Sequence, residues 1–212
     1  MNKIRMKNGN RLYTFIVIFL LCTLATGCQQ SPRKHYYLLN ATPTANQSNA
    51  NQSNTINHSI GLGPIELADY LDRSHIVRNR DANRLQLADV DHWGEPLEKG
   101  IARVLAINLM NCDSTRLVED FPWRSDATPA LSLRLSIYDL QLINGAAAIN
   151  ASWKLIDNNT KAVLSQQHFV RSKPSGDSAA QIAKTYSELL AELAEEMDQA
   201  LTTINSSQQH ST

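Results

Sequence analysis

Residues 131–159 read LSLRLSIYDLQLINGAAAINASWKLIDNN, and this stretch decides the fold class. Apolar and polar residues alternate along both of its halves, which is the two-residue period of half-buried strands. The phase of the alternation shifts near Ile137, which predicts a β-bulge. Between the halves, Asn144-Gly145 is a strong signal for a two-residue hairpin turn. A further strand over Val163–Val170 extends the predicted hairpin to an antiparallel meander.

Two amphipathic helices flank this meander. One is predicted over Pro96–Met110, with the proline in its first turn. The other is predicted over Ala179–Ile204, where Ser178 and Gln181 can form a capping box. Each has one apolar stripe, which we interpret as a face packed on the sheet, although the longer stripe also suits a coiled coil or partner surface. The pattern predicts an α+β fold: a single domain whose mainly antiparallel sheet is covered by two helices.

Shorter candidate strands precede the first helix. They are Tyr36–Leu39, Ile60–Leu67, Ile76-Val77 and Leu85–Leu87. Residues 41–59, between the first two, are dominated by Asn, Gln, Ser and Thr, which predicts a disordered loop internal to the fold. Gly61 and Gly63 do not predict a phosphate-binding loop, because the third glycine, the lysine and the following helix are lacking.

The first 27 residues predict an export signal. Their start carries four basic residues and no acidic one: Lys3, Arg5, Lys7 and Arg11. The apolar run that follows, Leu12–Leu24, is shorter than the roughly 20 residues that span a membrane. A secretory signal is therefore favoured over a transmembrane helix.

The end of this signal, Leu24-Ala25-Thr26-Gly27-Cys28, resembles the lipobox of bacterial lipoproteins, although Ala25 stands where the pattern prefers leucine. The resemblance implies that Cys28 receives a diacylglycerol and becomes the new N-terminus. The covalent lipid would be the sole non-protein group, and two or more acyl chains suffice for stable anchoring. The alternative is an ordinary signal, whose product would begin with a free thiol.

Composition narrows the function of the remaining 185 residues, which suffice for one domain. Cleavage removes four of the 20 basic residues and none of the 20 acidic ones, which leaves a net charge of −4. This mildly acidic balance disfavours nucleic acid as a partner. With Cys28 lipidated, Cys112 has no internal disulfide partner. A lone thiol can pair between chains, but we interpret Cys112 as a small buried hydrophobe.

The predicted organisation has four parts. They are a signal peptide at 1–27, a lipidated tether at 28–35, a periplasmic domain at 36–205 and a polar tail at 206–212. The domain shows no hydrolase, nucleotide-binding or metalloprotease motif. The group Asp89, Asp91 and His92 is typical of a solvated turn rather than a metal site. We therefore predict neither enzymatic activity nor a metal.

Several short motifs between Ile60 and Leu109 form a characteristic combination. They are Gly61-Leu62-Gly63-Pro64, Tyr70-Leu71-Asp72-Arg73, Ile76-Val77, Trp93-Gly94-Glu95-Pro96-Leu97 and Arg103-Val104-Leu105-Ala106. With the lipobox, the early Tyr-Tyr-Leu strand and the Trp153 strand, they resemble the PqiC (YmbA-like) family of ABC-type transport auxiliary lipoproteins. The chain departs from that pattern at Ala68, Ser74-His75, His92 and Ile107, and its Asn/Gln-rich insertion is long.

The resemblance implies an outer-membrane lipoprotein subunit of an intermembrane lipid transport system that supports envelope integrity. The implied partners are an inner-membrane permease-like protein and a periplasm-spanning protein with mammalian-cell-entry (MCE) domains. Phospholipid and further copies of the chain are open possibilities. Gln29 favours the outer membrane, because enteric-type bacteria commonly retain lipoproteins at the inner membrane with Asp there. A structural or assembly lipoprotein without a transport role is the alternative.

The segment Tyr70, Leu71, Asp72 and Arg73 is the candidate partner-binding site. Exposed tyrosine and arginine make good interface anchors, which favours a docking loop. The same residues equally fit a turn held by an Asp72–Arg73 contact or by an aspartate-to-backbone bond. Trp93, just before the first helix, is interpreted as a packing anchor.

Overall fold

The computed structural model describes residues 32–42, 58–81 and 83–209. The predicted signal, the lipobox, most of the polar loop and the last residues of the tail lie outside this part. From Lys34 onward the described chain forms one compact unit. Its elements are β1 (His35–Tyr37), β2 (His58–Leu67), β3 (His75–Asp81), β4 (Arg84–Trp93), α1 (Leu97–Cys112), β5 (Arg116–Asp120), β6 (Leu131–Ile143), β7 (Ala146–Asp157), β8 (Val163–Pro174) and α2 (Ala179–Gln209). The single-domain α+β prediction is confirmed.

The predicted meander supplies β6, β7 and β8 to a five-stranded sheet with the order β5-β2-β6-β7-β8. Strands β6, β7 and β8 pair antiparallel, and the expected bulge falls between Ile137 and Asp139. At the β6–β7 turn, Asn144 and Gly145 have φ of 53° and 75°. Both values are positive, as the tight hairpin turn requires. The meander, its bulge and its turn are therefore confirmed.

The other two strand pairings of this sheet are parallel. Strand β2 pairs parallel with both β5 and β6. A smaller sheet, of order β1-β4-β3, combines the β3–β4 hairpin with a parallel β1. The prediction of a mainly antiparallel sheet is thus roughly right, and β5 is a strand that the sequence did not reveal.

The helices cover one face of the large sheet and pack against each other. Helix α1 lies over β2 and β5, and α2 lies over β7 and β8. The apolar stripe of α2 is buried within the chain at Ile182, Leu189 and Met197. This burial confirms the core interpretation of the stripe. At the start of α2, Gln181 N donates to Ser178 Oγ at 3.3 Å and Ser178 N donates to Gln181 Oε1 at 3.4 Å, which is the predicted capping box.

Several elements differ in length from their sequence patterns. Strand β1 ends at Tyr37, whereas β2, β4 and β8 extend beyond their predicted apolar runs. Helix α2 continues to Gln209, so the first part of the predicted polar tail is helical. The reason is that apolar periodicity marks only the buried part of an element, while backbone hydrogen bonding continues through polar residues.

The two glycines of the Gly61-Leu62-Gly63 motif leave room for the side chains of Trp123 and Phe121. A Cβ at position 61 would lie 2.3 Å from Cζ2 of Trp123, and one at position 63 would lie 2.5 Å from Cβ of Phe121. The two rings pack edge to face at 5.2 Å, and Trp123 Nε1 donates to Glu119 O at 3.0 Å. The glycines therefore allow the β5–β6 loop to lie directly on β2.

Candidate docking site around β1 and the Tyr70–Arg73 turn

Residues 38–42, here called the strap, follow β1 without pairing to a strand. Leu39 is buried in the core. Helix side chains satisfy the strap backbone through three bonds: Arg103 Nη2 to Leu39 O at 2.8 Å, Asn40 N to Ser187 Oγ at 3.0 Å and Thr42 N to Asn108 Oδ1 at 3.1 Å. Because buried backbone groups need partners, these bonds let an irregular segment lie between the helices.

An open cleft of about 460 Å³ lies between the strap and the first half of α2. Small and apolar side chains supply most of its lining, with a lysine at the rim: Tyr36, Leu38, Ala41, Ala180, Ala183 and Lys184. Tyr36 and Leu38 are 65% and 49% exposed. The cleft therefore exposes apolar surface of Tyr36 and Leu38 next to β1.

The Tyr70–Arg73 segment is a turn closed by its own backbone. Leu71 N donates to Ala68 O at 2.8 Å, and Arg73 N donates to Leu71 O at 2.8 Å. The expected Asp72–Arg73 and aspartate-to-backbone contacts are not what holds it. Instead, backbone bonds and the burial of Leu71 fix the turn.

Tyr70 also belongs to the fold. Its hydroxyl donates to Asp139 Oδ1 and accepts from Leu140 N at 3.2 Å. Burial, followed by the bond to Asp139, raises the pKa of Tyr70, so the phenol stays neutral. Tyr70 is therefore partly buried rather than exposed, because its hydroxyl closes the bulge of β6, and its role in docking stays a prediction. Asp72 and Arg73 are exposed, and their side chains have no partner within the described chain.

Trp93 connects this turn to β1. The backbone N–H of Trp93 donates to Ser74 O at 2.7 Å. The backbone N–H of the next residue, Gly94, donates to Tyr37 O at 2.8 Å. The indole is 7% exposed and lies 6.5 Å from the ring of Tyr186. Trp93 is thus the predicted packing anchor. These bonds lie on opposite edges of β4, so the Asp72–Arg73 turn is one strand away from the end of β1.

The predicted solvated turn at Asp89–His92 is instead part of β4. Asp91 accepts from Tyr37 at 3.3 Å and pairs with Arg78 at 3.4 Å, while His92 points to the other face. There His92 lies between Tyr36 and His75, at 5.8 Å and 4.3 Å between ring centroids. Burial and then the neighbouring His75 lower the pKa of His92, which keeps it neutral. Tyr36 thus contacts His92 of the small sheet and also lines the cleft.

Three further features bear on function: possible metal ligands, the free cysteine and the helices. No group of three metal-ligating side chains occurs there. Cys112 is free and partly buried, and burial raises the pKa of its thiol. None of the described helices has the length and apolar character needed to cross a membrane.

The chain matches the family of ABC-type transport auxiliary lipoprotein components over residues 37–198. Two solved structures share its fold. An uncharacterized protein has 17% identity and a TM-score of 0.65, covering 80% of this chain and 99% of its own. A Xanthomonas campestris protein of the DUF330 family has 15% identity and a TM-score of 0.62, covering 84% of this chain and 99% of its own. No curated protein matches the chain at a significant level.

Proposed function

The chain belongs to the ABC-type transport auxiliary lipoprotein components, and from this premise we propose that it is a non-enzymatic outer-membrane lipoprotein. In this proposal it docks a periplasm-spanning MCE-domain protein, which works with an inner-membrane permease-like protein in lipid transport between the two membranes. By docking this partner, the protein contributes to the integrity of the cell envelope. The alternative, a structural lipoprotein without a transport role, predicts cell-wall or porin partners instead.

The exposed Asp72–Arg73 pair is the observation that carries this proposal. Its backbone is held by the fold, and arginine on a rigid support is a favourable interface anchor. The turn leads into β3, in the same small sheet as β1, where the tether ends. Residues 29–35 span at most about 25 Å when fully extended. The turn would therefore stay close to its own membrane, and a partner from the opposite membrane must reach it.

Charge reversal at this turn is expected to disrupt docking. Arg73→Glu should reduce recovery of the MCE-domain partner by about tenfold or more, because losing a hot-spot arginine costs about 2 kcal/mol or more and about 1.4 kcal/mol corresponds to a tenfold change. The measurement is affinity capture of the lipidated chain from crosslinked envelopes. Arg134→Glu is the matched control, since Arg134 is exposed on β6 and undergoes the same charge change. Equal recovery with both variants would refute docking through the turn.

Loss of the lipid should release the protein. Cys28→Ser is expected to give a soluble periplasmic protein, because the acyl chains on Cys28 supply the stable attachment. The wild-type chain should sediment with the outer membrane in a density gradient, and Gln29→Asp should move it to the inner membrane. A Cys28→Ser protein that still fractionates as an integral membrane protein would contradict lipidation.

A further inference from the structure

We propose that the surface formed by Lys34, Tyr36, Leu38 and Lys184, called the β1 patch, lies against the anionic phospholipid surface to which the anchor is fixed. The patch would be a second, non-covalent attachment that orients the domain. This inference rests on the lipidation of Cys28 that the proposed function includes. It goes further by assigning one face of the domain to the lipid.

The geometry of the patch favours a flat apolar partner. Lys34 directly precedes β1, and its charge acts on His92, whose ring also contacts Tyr36, so Lys34 and Tyr36 lie on the same side of the small sheet. Leu38 lines the same open cleft as Tyr36. Tyr36 and Leu38 are each about half exposed or more, in a domain that buries most of its large apolar side chains. Tyrosine also suits a membrane interface, because its ring is apolar and its hydroxyl can remain in water.

The charges at the rim complement a phospholipid headgroup region. Lys34 is exposed, and the side chain of Lys184 is 79% exposed. The acidic group facing the cleft is Glu188, which lies 3.5 Å from Lys184 and 3.7 Å from Lys173. Lys173 lies closer still to Glu192, at 2.8 Å, so these two lysines balance two carboxylates. Lys34 then leaves the rim with a net positive charge, in a mature chain whose net charge is −4.

The short tether favours the lipid surface, rather than a protein, as the partner of the β1 patch. The patch begins at Lys34, at the end of the tether, and continues into β1, so it is the part of the described chain nearest in sequence to the proposed anchor. A short linker holds its two ends at a high effective concentration, which turns weak contacts into stable ones. A small patch is therefore sufficient for a tethered domain, whereas a diffusing protein partner would need a larger interface.

The test places a probe on the patch of the full lipidated chain. Cys112→Ala leaves a background without a reactive thiol, and Leu38→Cys introduces one for an environment-sensitive fluorophore. Val170→Cys is the matched control, because Val170 is 51% exposed but lies on β8. The protein is inserted into vesicles of phosphatidylethanolamine and phosphatidylglycerol that carry a lipid-bound quencher.

We expect several-fold stronger quenching at position 38 than at position 170. The difference should shrink when Lys34→Glu and Lys184→Glu are combined, or when phosphatidylcholine replaces the anionic lipid. Equal quenching at both positions would overturn the patch while leaving lipidation and docking intact. A label at position 38 that responds only to the MCE-domain partner would overturn it in favour of a protein occupant. Failure of the wild-type chain to sediment with vesicles would instead refute lipidation, and this proposal with it.

Discussion

Replacing Arg116 with alanine is expected to lower the free energy of unfolding by about 3 kcal/mol, because it strands a carboxylate that has lost its buried counter-charge. The Arg116 side chain is 2% exposed, and its Nη1 lies 2.7 Å from Asp198 Oδ1. These atoms are not aligned as a hydrogen bond, so the contact is an ion pair. Nη1 also donates to Leu109 O at 3.1 Å, near the end of α1. Urea unfolding of the domain measures the loss.

Further substitutions at the two positions separate the ion pair from packing. Asp198→Asn should cost less than Arg116→Ala, because the guanidinium keeps Leu109 O and lies 3.6 Å from Asp113. Combining Arg116→Met with Asp198→Leu should restore stability to within about 1 kcal/mol of the wild-type protein, since apolar replacements of buried ion pairs are often neutral. An Arg116→Ala protein as stable as wild type would show that the pair does not hold α1, β5 and α2 together.

Replacing Gly63 with alanine is expected to cost about 3 kcal/mol as well, through strain and overlap together. Gly63 has φ of 126°, which L residues rarely adopt. The new Cβ would lie 2.5 Å from Cβ of Phe121, an atom that no rotamer change can move away. Phe121 is itself held, because its N–H donates to Leu62 O at 3.1 Å. Chemical denaturation of the variant gives the stability change.

Gly145→Ala is the matched control for this prediction. Gly145 has φ of 75°, but its nearest neighbour to a new Cβ is Ser175 O at 3.8 Å. This variant should therefore lose only about 1 kcal/mol, from backbone strain alone. If both alanine variants lose the same stability, the aromatic contact with β2 contributes nothing.

The sequence predicted the parts of the fold whose pairing is local. Strands β6 and β7 bury one face and adjoin through Asn144-Gly145, so both period and turn appear in the chain. Strand β5 has five residues and pairs in parallel with β2, about 50 residues earlier, so neither a turn nor a long alternation reveals it. The parallel pairing of β1 with β4 was hidden for the same reason.

The candidate site was predictable only in its location. The Tyr70–Arg73 segment was found, but the direction of Tyr70 depends on Asp139, a contact that only the folded chain creates. The strap was missed, although a signal existed: Asn108 and Ser187 are polar residues at buried positions of the helices. A polar residue on an apolar helix face needs a partner, and here the partner is the backbone of residues 40 and 42.

The strap has a mechanical consequence. Tension on the chain ahead of β1 does not reach a free strand edge, because the next residues are fastened to Arg103 and Asn108 on α1 and to Ser187 on α2. A pull along β1 is thus shared between both helices and the buried Leu39. Peeling β1 from β4 breaks only three residue pairs and stops at the strap. A pull on the residues ahead of β1 is therefore expected to displace the domain as one body instead of separating its first strand from the sheet.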